Sequence, residues 1–207
     1  MTGPEPQTVQ IDTPHGPARA HLHAPEQAPT GALVLGHGAG GGIQAKDLVA
    51  TSGAARRAGW LVALVEQPYR VAGRRAPAPA PQLDAAWRAV LEELVARHLA
   101  GLPVVTGGRS SGARVACRTA GDGVASGVLC LAFPLLPPGK DASRTRLPEL
   151  AAVDVPVLVV QGSSDRFGIP PAAPGREVVT LPGTHTLDTD LPGLETAVLG
   201  WLRRRAS

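Results

Sequence analysis

Short runs of unbroken apolar residues recur along this chain and constrain its fold more than any other feature. They are Gly31 to Leu35, Trp60 to Val65, Pro103 to Thr106, Val124 to Ala132 and Pro156 to Gln161. A strand with one face in water alternates apolar and polar residues. A continuous run is expected of a strand covered on both faces, as in a parallel sheet sandwiched by helices. Segments with helical spacing lie between the runs. Gln44 to Ala58 is closed by Gly59, Gln82 to Ala100 by Gly101 and Ala113 to Ala120 by Gly121, and Leu194 to Arg204 ends the series. Glu177 to Leu181 is a further short strand. Val9 to Ile11 and Ala18 to His23 read as two strands around the turn Thr13–Pro17. Strands alternating with helices predict an α/β fold with a doubly wound, mostly parallel sheet. Residues 1–207 are expected to form one domain, with 1–30 supplying the N-terminal strands and a Pro-rich linker.

Composition narrows the function classes. The net charge is only +3, and no basic run is interleaved with aromatics, so nucleic-acid binding is not indicated. No apolar run reaches membrane-spanning length, and the first residues have no apolar h-region, so the cytoplasm is the expected location and no membrane partner is implied. Aromatics make up 3% of the chain, which leaves Val, Leu and Ala to build the core. The two cysteines, Cys117 and Cys130, fall in a helix and an apolar strand and are expected to be buried thiols. His21 and His23 share one strand face, but no third ligand is near them, so an exposed polar face is expected rather than a metal site.

The run ending at Thr106 leads into Gly108-Arg109-Ser110-Ser111-Gly112, a G-x-S-x-G pattern followed by a helix. Strand, sharp turn and helix form the context of a nucleophile elbow, which lifts its serine above the sheet. Ser110 has glycine two residues away on each side, whereas Ser111 would have Arg109 and Ala113, so Ser110 is the candidate nucleophile. The bland alternative, a phosphate-binding turn, lacks the Gly-Lys-Ser/Thr closure of a P-loop. The glycine loop His37-Gly38-Ala39-Gly40-Gly41-Gly42 also follows a predicted strand, and its free N–H groups suit an anion. The amides of Ala39 and Ser111 are therefore the candidate oxyanion hole. A dinucleotide reading of Gly36, Gly38 and Gly41 would need Glu66 as its ribose acid.

Asp165 and His185 follow the two last strands, so four loops meet at the carboxyl edge of one sheet. A serine hydroxyl needs an imidazole to take its proton, and the imidazole needs a carboxylate to fix its tautomer. His185 is the candidate base and Asp165 its orienter. Glu66 is the strongest alternative acid, while Asp188 and Asp190 read as helix-start acids.

These motifs, together with Gln161-Gly162-Ser163-Ser164-Asp165 and Gly183-Thr184-His185, resemble a compact α/β-hydrolase group akin to dienelactone hydrolases and testis-expressed hydrolase-like proteins. The resemblance runs from Gly31 onward. It includes Pro68, Tyr69, Arg70, Arg74 and Arg75 and the segment Pro137 to Lys140, and departs at Ser111, where the group usually carries Met. It implies an α/β-hydrolase fold and hydrolase chemistry without a metal or organic cofactor. The segment Phe133 to Arg146 is too short and too rich in Pro and Gly for a helical cap, so no large cap domain is expected.

The resulting expectation is a serine hydrolase that cleaves an ester or thioester with Ser110, His185 and Asp165. The alternatives are a catalytically silent scaffold that binds a protein partner, and an acyltransferase. The expected ligand is a small acyl substrate. His37, Tyr69, Arg70 and Arg109 are the candidate substrate-binding residues. Arg70, Arg74, Arg75, Arg109 and Arg144 all fall at the carboxyl edge, where guanidinium forks suit a substrate bearing a negative group. The competing reading is that these arginines pair with acids or brace the elbow.

Overall fold

The computed structural model describes residues 6–139 and 142–205. Met1 to Glu5, on which the leader expectation rested, and Lys140 of the Pro-Pro-Gly-Lys segment lie outside the described residues.

The strands are β1 (Gln7–Ile11), β2 (Ala18–His23), β3 (Gly31–Gly36), β4 (Trp60–Glu66), β5 (Val104–Arg109), β6 (Ala125–Leu131), β7 (Val157–Gly162) and β8 (Arg176–Leu181). The helices are α1 (Lys46–Arg57), α2 (Pro68–Val71), α3 (Ala80–Arg97), α4 (Ser111–Thr119), α5 (Leu147–Ala151) and α6 (Leu191–Arg203). The sheet has eight strands in the order β1-β2-β4-β3-β5-β6-β7-β8. β1 and β2 form an antiparallel hairpin that pairs antiparallel with β4; every other pairing is parallel. The helix α2 is absent from the sequence reading. Pro68 opens it, its fixed φ suiting a helix start, and it spans only four residues, below what periodicity detects.

The unbroken apolar runs are strands covered on both faces. Every residue of β3 is buried. Leu33 and Leu35 point into one core with Leu48, Trp60, Leu131 and Trp201, beneath α1 and α6. Ala32 and Val34 point the other way, against Trp87, Val90 and Leu94 of α3. A third cluster sits under α4 and α5, where Cys117 and Cys130 are both buried with their sulfurs 3.5 Å apart as free thiols. The Cys117 contact and burial push the Cys130 thiol well up, away from a reactive thiolate.

After β3 the chain first builds β4 on one side and then crosses to β5 on the other. The crevice outside the carboxyl ends of β3 and β5 is therefore the switch point of the sheet, where open α/β sheets bind ligands. Between β6 and α5 the described residues form only a short 3-10 turn, Ala142–Arg144, so no cap covers this edge. Arg146 braces that segment by donating to the carbonyls of Pro134 and Leu136. Among the described residues, no helix is long and apolar enough to cross a membrane.

Candidate active site

Ser110 stands between β5 and α4 with φ 52° and ψ −105°, a conformation that non-glycine residues seldom adopt. The tight packing of the turn explains why it carries flanking glycines. A Cβ on Gly108 or on Gly112 would lie 2.4 Å from the carbonyl oxygen of Gly36. β3 approaches the end of β5 and the start of α4 too closely for a side chain at either glycine, and the residue these two glycines flank is Ser110. The Ser110 N–H donates to the Leu131 carbonyl at 2.8 Å, pinning the turn to β6.

His185 lies in the loop after β8, and Asp165 in the loop after β7. His185 Nε2 is 2.9 Å from Ser110 Oγ, and His185 Nδ1 is 2.8 Å from Asp165 Oδ2. The Asp165 side chain is fully enclosed, while the His185 side chain stays 18% exposed and so remains reachable from the crevice. Buried carboxylates need partners on every oxygen. Asp165 Oδ2 also accepts from the Gln161 amide at 2.7 Å, and Oδ1 accepts from the Phe167 N–H at 2.9 Å. The Phe167 ring meets the His185 imidazole edge-on, with centroids 4.6 Å apart.

The glycine loop faces the elbow. Ser111 is the first residue of α4, and a helix leaves its first N–H groups without intrahelical partners. Among the described residues the Ala39 N–H also finds no acceptor. Unpaired backbone amides such as these are what an oxyanion site draws on. Among the described residues, no group of His, Cys, Asp and Glu is arranged to hold a metal.

The sequence model of a family described as alpha/beta hydrolase domain matches residues 29–182. The chain belongs to this family. A comparison with curated proteins finds no match. Among solved structures, an α/β serine hydrolase without lid from Xanthomonas campestris superposes with a TM-score of 0.77 at 22% identity, covering 99% of this chain and 97% of that one. Est1E from Butyrivibrio proteoclasticus gives 0.76 at 17% identity, covering 96% and 98%. A dienelactone hydrolase from Anabaena variabilis gives 0.70 at 18% identity, covering 97% of each chain. The fold is common to all three.

Several expected substrate contacts occupy other positions in this hydrolase domain. His37 is 3% exposed and uses both ring nitrogens internally. Nδ1 donates to the Gly38 carbonyl at 2.9 Å, and Nε2 accepts from the Gln67 N–H at 3.2 Å. Burial pushes its pKa down, which keeps it neutral and able to play both parts. Tyr69, also 3% exposed, donates its hydroxyl to the Ala39 carbonyl at 3.0 Å, and burial raises its pKa to about 12. Both residues hold the glycine loop from behind instead of facing a substrate. Arg109 is likewise committed, to Asp47 and to the His185 carbonyl. Arg70 is half-buried on α2 and donates to the Arg74 carbonyl at 3.3 Å.

Glu66, the rival acid, pairs with His21 at 2.9 Å and with Arg19 at the antiparallel end of the sheet. His21 also meets Thr8 Oγ1, so its strand face is partly buried and hydrogen-bonded, not a solvated polar face. Asp190 caps α6 by accepting from the Gly193 N–H. Gln161 and Phe167 were missed by sequence reasoning. A lone glutamine ending the otherwise apolar run Val157–Gly162 was the available signal for the first; Phe167 had none.

Proposed function

We propose that this protein is a serine hydrolase acting on an ester or thioester, with Ser110 as nucleophile, His185 as general base and acid, and Asp165 as orienter. The observation that carries the reading is the unbroken hydrogen-bond chain from Ser110 Oγ through His185 to Asp165. Its internal consistency adds support: Nδ1–H donates to the carboxylate, which leaves Nε2 as the lone-pair nitrogen facing the serine.

In this reading His185 Nε2 takes the Ser110 proton as Oγ bonds to the acyl carbon. The carbonyl oxygen becomes an oxyanion and accepts from the amides of Ala39 and Ser111. Collapse breaks the bond to the leaving alcohol or thiol, which receives the proton from His185. Water then adds to the acyl-enzyme, giving its proton to His185, and the second collapse returns that proton to Ser110 as the acid departs. Every step is a proton or acyl transfer, with no redox change.

Two cations near the crevice support a preference for acyl substrates that carry a negative group. A terminal nitrogen of Arg70 lies 3.8 Å from where a Cβ on Gly42 would stand, beside the glycine loop. The exposed Arg166 guanidinium sits 4.8 Å from the centroid of the Phe167 ring that covers His185. Turnover of p-nitrophenyl esters and acyl-CoA thioesters tests the activity. Hydrolysis of either class, lost in Ser110→Ala, is the expected result; turnover that survives Ser110→Ala would exclude this mechanism. For the anionic preference, kcat/KM is compared for a neutral ester and its carboxylate-bearing analogue at low and high salt. A salt-sensitive advantage of the anionic ester is expected, and equal values at both salts would refute it.

A further inference from the structure

Arg109 sits between the elbow glycine and the candidate nucleophile, yet its side chain is committed to partners on other segments. Its Nε donates to Asp47 Oδ2 at 2.8 Å, and a terminal nitrogen donates to the His185 carbonyl at 3.2 Å. Its other terminal nitrogen passes over Gly38 so closely that a Cβ there would lie 2.7 Å from it. Asp47, in the first turn of α1, has a side chain only 1% exposed, and that of Arg109 is 16% exposed. Oδ1 of Asp47 accepts the Leu48 N–H, and the negative carboxylate suits a helix start whose N-cap, Ala45, provides no side-chain cap. Burial pushes the Asp47 carboxyl up while the Arg109 charge pulls it back.

We infer that the buried Asp47–Arg109 pair is a positioning device, tying the elbow and the His185 loop to α1 and neutralising a cation that would otherwise stand against the His185 backbone. The inference rests on the reading of Ser110, His185 and Asp165 as a triad. The parts of that site stand on separate loops. Asp165 fixes the imidazole from Nδ1, but the backbone that carries His185 turns sharply, with Leu187 at φ 50°. Arg109 holds that backbone from behind by its carbonyl. A planar fork holds an acid and a carbonyl in fixed directions from separate nitrogens, whereas a lysine offers one compact ammonium on a flexible stem. An unpaired Arg109 would disfavour the imidazolium that His185 must form during catalysis. The other charged groups around His185 are Asp165 at Nδ1, Arg166 behind the Phe167 ring, and Asp188, which feels Lys46 and Arg109 at the rim.

The test measures steady-state turnover of p-nitrophenyl acetate across pH, in Asp47→Asn and in the double variant Asp47→Leu/Arg109→Met. The apolar double replacement guards against misfolding, because a buried ion pair exchanged for packed side chains is often tolerated where a broken pair is not. In Asp47→Asn, kcat should fall about tenfold with KM little changed, and the dependence of kcat on pH should differ from wild type, because an unneutralised cation then stands near the general base. In the double variant the pH dependence should return to that of wild type while kcat stays low, because the tie to the His185 carbonyl is gone. A wild-type pH dependence together with wild-type kcat in Asp47→Asn would overturn the inference, as would wild-type kcat in the double variant. A wild-type protein that hydrolyses no ester would instead refute the catalytic reading, and the inference with it.

Discussion

Replacing Gln161 with leucine removes a side chain that hydrogen-bonds the segment after β6 to the Asp165 loop. Its amide nitrogen reaches three acceptors: the Phe133 carbonyl at 3.1 Å, Asp165 Oδ2 at 2.7 Å and the Gly168 carbonyl at 2.9 Å. The Phe133 oxygen keeps a second donor, the Leu135 N–H, so its loss is small. Asp165 loses a bond to a charged acceptor, worth about 1.5–3 kcal/mol, and the Gly168 carbonyl is stranded at about 1–3 kcal/mol. Against this, leucine eliminates Gln161 Oε1, a buried oxygen without a partner among the described residues, which returns about 1–3 kcal/mol. The net cost is about 2 kcal/mol, or a fall in Tm of roughly 4–8 °C for a chain of this size. Because Asp165 then keeps only His185 and the Phe167 N–H, kcat should also drop about tenfold, a loss of ~1.4 kcal/mol in transition-state stabilisation. Urea unfolding and ester turnover measure the two effects. A variant as stable and as active as wild type would refute the assignment of Gln161 as support for Asp165.

The buried neutral His37 makes stability pH-dependent. Its folded pKa lies below the unfolded value of about 6.5, so the unfolded chain takes up the proton first and stability should fall as pH drops below about 6.5. Urea unfolding between pH 5 and pH 7.5 should show a shallower slope in His37→Asn, and identical slopes would remove His37 as the cause. Gly112→Ala should cost about 1–3 kcal/mol or more by driving a Cβ into the Gly36 carbonyl. A fully stable and active variant would contradict the packing account of the elbow. Asp165→Asn should lower kcat by orders of magnitude through the wrong His185 tautomer, about 10⁴-fold if the loss matches that of the same exchange in a serine protease triad. Near-normal kcat in that variant would move the orienting role elsewhere.

The sheet was legible because its strands are doubly covered: β3 carries no polar side chain, β7 only Gln161, and β5 only Thr106 and Arg109. The elbow was legible because Gly108 and Gly112 mark a close approach that the sequence displays directly. Chain position alone also placed Ser110, Asp165 and His185 at one sheet edge, where the structure brings them within hydrogen-bonding distance. What position could not give is the direction of each side chain. His37, Tyr69 and Arg109 follow or end strands at the crevice edge, yet each turns to a backbone or carboxylate partner. The partner of Arg109, Asp47, is 62 residues away on α1, and no spacing in the chain links the two. Gln161 was hidden for the opposite reason: it closes a strand, and a polar residue there has no periodicity to betray a buried role.

The most direct test of the account is reaction with a fluorophosphonate probe, followed by mass spectrometry of the labelled peptide. The adduct should fall on Ser110, with labelling abolished in Ser110→Ala, slowed strongly in His185→Ala and retained in Ser111→Ala. An adduct on Ser111, or labelling that persists in Ser110→Ala, would contradict the assignment of Ser110 as the nucleophile.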